Sequence, residues 1–238
     1  MEKIAIVTGG TKGIGLGVVK MLLSRDYDVF VSYAHDEVAA AQLQNEYVGH
    51  VFTFKADHAD RQQTYAFVDY VRSHVERIDC IVCNAGMTIR KPFPETEDDD
   101  WDKMMEVSIN AHVILLRELF SLIRPNSRIL FTGSAMGVYP HATVLGYGVT
   151  KSAIHGLVKN LVKEFEPVGA TVNAVAPGFV DTEWQKEKPE QIRESICHKT
   201  AIHRFASIDE IVQAYAFCID NAFVNGSVIE VNGGYNYL

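Results

Sequence analysis

Residues 4–15 read Ile4-Ala5-Ile6-Val7-Thr8-Gly9-Gly10-Thr11-Lys12-Gly13-Ile14-Gly15, and the chain runs on as Leu16-Gly17-Val18-Val19. The opening apolar run suits a buried strand, the spaced glycines a tight turn, and the pattern after them a helix. Glycine lets the backbone turn sharply and lets a ligand approach it closely, while a helix N-terminus offers unpaired N–H groups and a positive dipole end. A glycine-rich loop alone would be an ordinary connection. Strand, turn and helix together point to a pyrophosphate, and so to a dinucleotide, at Gly9, Thr11, Lys12, Gly13, Ile14 and Gly15.

The same alternation continues outward. Short β-branched runs at 4–8, 29–33, 51–55, 78–83, 128–132, 171–176 and 228–231 predict seven strands. Longer amphipathic stretches at 13–24, 36–46, 61–75, 98–123, 147–166 and 208–219 predict helices. Strict βα order implies a parallel sheet with helices on both faces. No linker or fixed-period repeat divides the 238 residues, which one α/β domain can absorb. The least regular region, 178–204, is polar, carries Pro189, and is expected to be a mobile lid over substrate.

Composition excludes several classes. No apolar run approaches a membrane span, and the N-terminal one is too short for a signal peptide, so a cytoplasmic protein is expected. A net charge of −8 without a basic run disfavours nucleic acid. The four cysteines are expected to be reduced; Cys80 and Cys83 fit CxxC but point to opposite faces of a strand. The nine histidines form no metal-binding pattern, and no metal is expected. The acids Glu97 to Asp100 suit a helix start, and Trp101, Met104, Met105 and Leu115 suit helix packing or a subunit contact.

The second strand ends Ser32-Tyr33-Ala34-His35, without the acid that would bind the free ribose of NADH. Asp36 comes late, at a helix start, whereas Lys12 can neutralise a 2′-phosphate beside Tyr33 and Ala34, so NADPH is expected over NADH. Ser134 ends the fifth strand, and Tyr147 and Lys151 stand four apart at the start of a helix, on one face. An ammonium beside a phenol favours the phenolate by charge proximity, making the tyrosine a usable acid or base.

These motifs, with Asn84-Ala85-Gly86 after the fourth strand and Pro177-Gly178 after the sixth, resemble the short-chain dehydrogenase/reductase family along essentially the whole chain. The resemblance implies a single-domain Rossmann fold with strand order 3-2-1-4-5-6-7. It implies that Ser134 binds the substrate carbonyl, Tyr147 donates the proton, and Lys151 binds the nicotinamide ribose and lowers the tyrosine pKa. It further implies that Asp57 and His58 border the adenine, that Asn84, Ala85 and Gly86 line the cleft, that Pro177 and Gly178 contact the cofactor, and that Val180 and Thr182 hold its carboxamide and phosphate side. A homotetramer is implied as well.

One position departs from the family. Seven residues on from Trp101, where relatives carry a catalytic asparagine, stands Ser108, with an asparagine only at Asn110. Ser108 can keep the main-chain carbonyl role, since every residue has a carbonyl. The pattern is most similar to 3-oxoacyl-acyl-carrier-protein reductases, implying a thioester ketone, with an acyl carrier protein as a candidate partner. However, Val168 stands where a docking arginine is usual, so a free small-molecule ketone, alcohol, sugar or steroid stays open, as do an epimerase and a non-catalytic NADPH-binding regulator.

Overall fold

Strands of five or six apolar residues bury both faces, and alternate side chains feed two cores. The computed structural model describes residues 3–235. Its strands are β1 (Lys3–Thr8), β2 (Tyr27–Tyr33), β3 (Val51–Lys55), β4 (Ile78–Cys83), β5 (Ile123–Thr132), β6 (Thr171–Pro177) and β7 (Val228–Val231). They form one parallel sheet in the order β3-β2-β1-β4-β5-β6-β7. Ala5, Val7, Val29, Val31, Cys80 and Val82 pack on one face against α1 (Gly13–Leu23) and α9 (Ile208–Asp220). Ile6, Phe30, Ile81, Cys83, Ile129 and Phe131 pack on the other against α3 (Arg61–His74), α5 (Ala111–Glu118) and α6 (Leu145–Phe165). Cys80 and Cys83 thus lie in different cores, and all four cysteines are free.

Strand order reverses between β1 and β4, and the crevice at the carboxyl ends of these strands is where such a sheet takes a ligand. The first turn follows β1, Asn84 follows β4, Ser134 follows β5 and Gly178 follows β6, all at the carboxyl edge of the sheet.

Two elements differ from the sequence pattern. The helix expected at 98–123 divides into α4 (Asp98–Met105), a π turn at Glu106–Asn110, and α5. β5 begins at Ile123 rather than 128, with its register against β4 shifting between Ile78 and Cys80. Pro125 explains the second difference: it disfavours helix at Arg124, lacks a donor for a regular ladder, and is accommodated in an irregularity. Ser127 Oγ closes that irregularity on the Ile78 carbonyl at 2.9 Å.

The segment 178–204 carries two short helices, α7 (Glu183–Lys186) and α8 (Glu190–His198). A parallel bridge pairs Val180 with Ala206, and the Gly178 and Ile202 N–H groups donate to the Val231 and Gly233 carbonyls. Among the described residues no helix is long and apolar enough to cross a membrane.

Candidate active site

Side chains at the ends of β1, β4 and β5 are tied into one network. Thr8 Oγ1 accepts the Asn84 and Ala85 N–H groups, both at 2.9 Å. Asn84 Nδ2 donates to the Thr8 and Gly9 carbonyls at 3.0 Å, and its oxygen accepts from Thr132 Oγ1 at 2.9 Å. The Thr132 hydroxyl also meets the Tyr215 hydroxyl at 2.6 Å, and the Thr132 carbonyl accepts Lys151 Nζ at 2.7 Å. Asn84 therefore braces the glycine turn and, through Thr132, the lysine.

That turn fits a dinucleotide phosphate. Gly9 has φ +63°, in the left-handed region glycine tolerates. A Cβ on Gly15 would stand only 2.6 Å from Asn84 Nδ2 and still nearer the Gly9 carbonyl oxygen, so the backbone there is bare. Lys12 caps α1 without a side-chain hydrogen bond, and no acid stands in the helix's first turn, which leaves its N–H groups to an anion. Thr182 faces the turn, its methyl 3.7 Å from where a Cβ on Gly13 would lie. At the end of β2, Asp36 is the α2 (Glu37–Glu46) N-cap, its carboxylate accepting from Ala39 N at 2.9 Å. Tyr33 and Ala34 are half-buried beside it, and Lys12 is exposed.

His58 turns its ring inward. Its ring is buried, with Nε2 2.8 Å from Ser32 Oγ and Nδ1 3.0 Å from Thr64 Oγ1. Both nitrogens serve the interior, so neither offers the adenine a polar edge. Asp57 is half-buried, its Oδ1 accepting from Ala59 N at 3.0 Å.

Ser134, Tyr147 and Lys151 are brought together. Ser134 Oγ accepts from Met136 N at 3.1 Å, and its hydroxyl hydrogen-bonds the Tyr147 phenol, the direction that lowers the phenol's pKa. The Tyr147 ring has Lys151 Nζ over its face, 5.5 Å from the centroid, and the Trp184 ring edge-on at 6.3 Å. Burial pushes the Tyr147 phenol above the usual tyrosine value, against the smaller opposing pull of the Ser134 hydroxyl and the Arg90 guanidinium. This reverses the expectation that Lys151 would lower it. The ammonium lies over the ring and spends a proton on Thr132, and desolvation outweighs it. Burial likewise pushes Lys151 down to about 8.

Ser108 and Asn110 part company. A Cβ on Gly86 would lie 3.3 Å from Lys151 Nζ and 3.8 Å from Ser108 Oγ, so these groups converge on Gly86. Asn110 instead donates to Glu106, which Arg61 also binds. Ser108 Oγ is buried without a hydrogen-bond partner among the described residues. Its carbonyl is taken by His112, at 3.0 Å from Nδ1, a residue the sequence pattern did not single out. A histidine four residues past Ser108 on an apolar helix was the available signal. A carbonyl can only accept, so Nδ1 carries the proton and Nε2 accepts the Thr8 hydroxyl at 3.3 Å.

Burial pushes His58 down to about 4 and His112 to about 3, so both are neutral in the folded chain. The unfolded chain binds protons at both below its pKa near 6.5, and stability therefore falls as pH drops from 6.5 towards 4. The expected loss is on the order of 3 kcal/mol for each histidine by pH 4. Denaturant unfolding between pH 7 and 4 measures it; an unchanged midpoint would exclude neutral burial.

The model of the family described as short chain dehydrogenase matches residues 3–193. A 2-dehydro-3-deoxy-D-gluconate 5-dehydrogenase from Pseudoalteromonas atlantica is 34% identical, over 98% of this chain and 95% of its own. A 3-oxoacyl-[acyl-carrier-protein] reductase from Aquifex aeolicus is 29% identical, over 98% and 96%. The crystal structure of a short chain dehydrogenase from Burkholderia cenocepacia in complex with NADP superposes with a TM-score of 0.91 at 27% identity, covering 98% of this chain and 97% of that one. Sheet order, glycine turn, serine-tyrosine-lysine cluster and these similarities agree, and the chain belongs to the short-chain dehydrogenase/reductase family of oxidoreductases.

Proposed function

We propose that the chain reduces a ketone to a secondary alcohol with NADPH. The observation that carries this reading is the juxtaposition of Tyr147, hydrogen-bonded by Ser134, with Lys151 Nζ over its ring, tied through Thr132 and Asn84 to the glycine turn. Gly9, Thr11, Lys12, Gly13, Ile14 and Gly15 would hold the diphosphate, with Lys12, Tyr33 and Ala34 at the 2′-phosphate. Asp57 and the main chain of His58 would border the adenine, and Asn84, Ala85 and Gly86 the cleft; Pro177 and Gly178 would contact the cofactor, and Val180 and Thr182 would hold its carboxamide and phosphate side. When bound, NADPH supplies the hydride.

The protein's own groups handle the proton. Ser134 Oγ–H donates to the substrate carbonyl and orients it. Tyr147 Oη–H gives its proton to that oxygen as the alcohol forms, and a phenol held above its usual pKa is in the right state for this at neutral pH. Lys151, close to 8, is a nearby source for replacing the proton. Ser108 acts through Lys151 as a positioning residue, its hydroxyl aimed at the space beside Gly86.

The substrate has two readings, each favoured by a relative: a 3-oxoacyl thioester on coenzyme A or an acyl carrier protein, and a free small-molecule ketone related to a sugar acid. A homotetramer in the cytoplasm completes the proposal; exposed Val113 and Phe120 near α5, with Leu145 and Val149 on α6, support a subunit contact. The test is NADPH oxidation with an acetoacetyl thioester and a panel of ketones. Turnover with one class is expected; cofactor binding with none across the panel would favour the regulator.

A further inference from the structure

We propose that Arg90, His141 and Lys188 form a subsite for an anionic group on the ketone substrate, a carboxylate in first place. The inference rests on the reductase reading and names the substrate class of that same site.

Each residue comes from a different loop at the mouth of the crevice. Arg90 follows Gly86 beyond β4, His141 lies between Ser134 and Tyr147, and Lys188 follows α7, whose Trp184 packs on Tyr147. Lys188 Nζ sits 5.1 Å over the Phe179 ring. Phe179 packs edge-on against Tyr235 at 5.1 Å and His141 at 6.3 Å, and His141 Nε2 is 3.0 Å from the Tyr235 hydroxyl. The ammonium and the imidazole therefore share one aromatic cluster. The Arg90 charge weighs on Tyr147, His141 and Lys188 alike, less than burial does in each case.

The neighbouring bases are paired: Lys91 with Glu97 and Asp100, Lys186 with Glu183, Arg193 with Asp181 and Arg204 with Glu210. Among the described residues Arg90 and Lys188 form no such ion pair, nor does Lys199. Every charged group acting on Lys188 is a cation, Arg90 then Arg193, and every one acting on His141 is too: Lys199, Arg90 and Lys188. Burial and these cations push Lys188 down to about 8. In a chain of net charge −8 this is a local reversal of sign, set beside the catalytic tyrosine. A guanidinium fork and an ammonium suit a carboxylate, which would relieve their mutual repulsion. A phosphate of a coenzyme A thioester offers the same chemistry.

The test compares 4-oxopentanoate with its methyl ester, and acetoacetyl-coenzyme A with the phosphate-free N-acetylcysteamine thioester. Wild type, Arg90→Gln, Lys188→Gln and the control Lys186→Gln are measured on each. The two subsite variants are expected to raise KM for an anionic substrate about 10- to 100-fold. KM for the neutral partner should hold, and Lys186→Gln should move neither. Sensitivity in the oxo acid pair identifies a carboxylate, and sensitivity confined to the coenzyme A pair identifies a phosphate; equal KM values throughout overturn the subsite. Calorimetry of succinate binding to the NADP-saturated protein separates the two proposals. Without turnover on any ketone the reductase reading falls, while succinate affinity lost in Arg90→Gln and Lys188→Gln sustains the subsite. Succinate binding that is absent or unchanged among the variants overturns it.

Discussion

Tyr147→Phe is expected to lower kcat for ketone reduction by about 10²- to 10⁴-fold, the usual contribution of a positioned general acid. The substitution removes one oxygen and keeps the ring, so the edge contact with Trp184 and the ammonium above the face survive. Cofactor affinity should therefore be unchanged, which separates lost chemistry from lost structure. Steady-state NADPH oxidation and a fluorescence titration of the cofactor are the two measurements. Turnover within tenfold of wild type would assign the proton to another group, with Lys151, near 8, the next donor.

Gly15→Ala should remove NADPH binding by a different route. The added carbon would press on the Gly9 carbonyl, on Asn84 Nδ2 at 2.6 Å and on Gly10 Cα at 3.0 Å. None of these can swing aside: two are backbone, and the Asn84 amide is held by the Thr8 and Gly9 carbonyls and by Thr132. Overpacking of this kind costs about 1–3 kcal/mol, or roughly 2–12 °C in a domain of this size. NADPH affinity should fall about 100-fold or more, because about 3 kcal/mol lost at the phosphate turn already corresponds to that factor. Gly156→Ala is the comparison, since nothing lies within 4 Å of its added Cβ. A Gly15→Ala protein that binds NADPH normally would mean that the turn does not hold the diphosphate.

Much of this architecture was legible in the chain because it depends on local patterns. The β1 run, its glycines and the alternation of strands and helices fix the sheet, and a four-residue spacing puts Tyr147 and Lys151 on one face. Ser108 could be placed by counting from Trp101, and it does face Lys151 across Gly86 while Asn110 turns to Glu106. What escaped depends on three-dimensional surroundings. The 98–123 run has apolar periodicity throughout and no glycine, so nothing in it announces the π turn that joins α4 to α5. The direction of the Tyr147 shift depends on how deeply the phenol is desolvated, which a spacing of four cannot reveal. His141 and Lys188 are separated by a long stretch of chain and carry no motif; only the folded loops bring both to the Phe179 ring.

The hydrogen-bonded network running from Thr8 through Asn84 and Thr132 to Lys151 has no bond to any residue of 178–204 among the described residues. The proton-handling network and the segment 183–204 are thus nearly separate, touching through the packing of Trp184 on Tyr147. A protein engineer could randomise 185–204 while keeping Trp184 on Tyr147 and Thr182 beside the glycine turn, and so vary that segment without retuning the proton donor. The same freedom is denied at Thr8, Asn84 and Thr132, where altering one side chain strands the partners of the others.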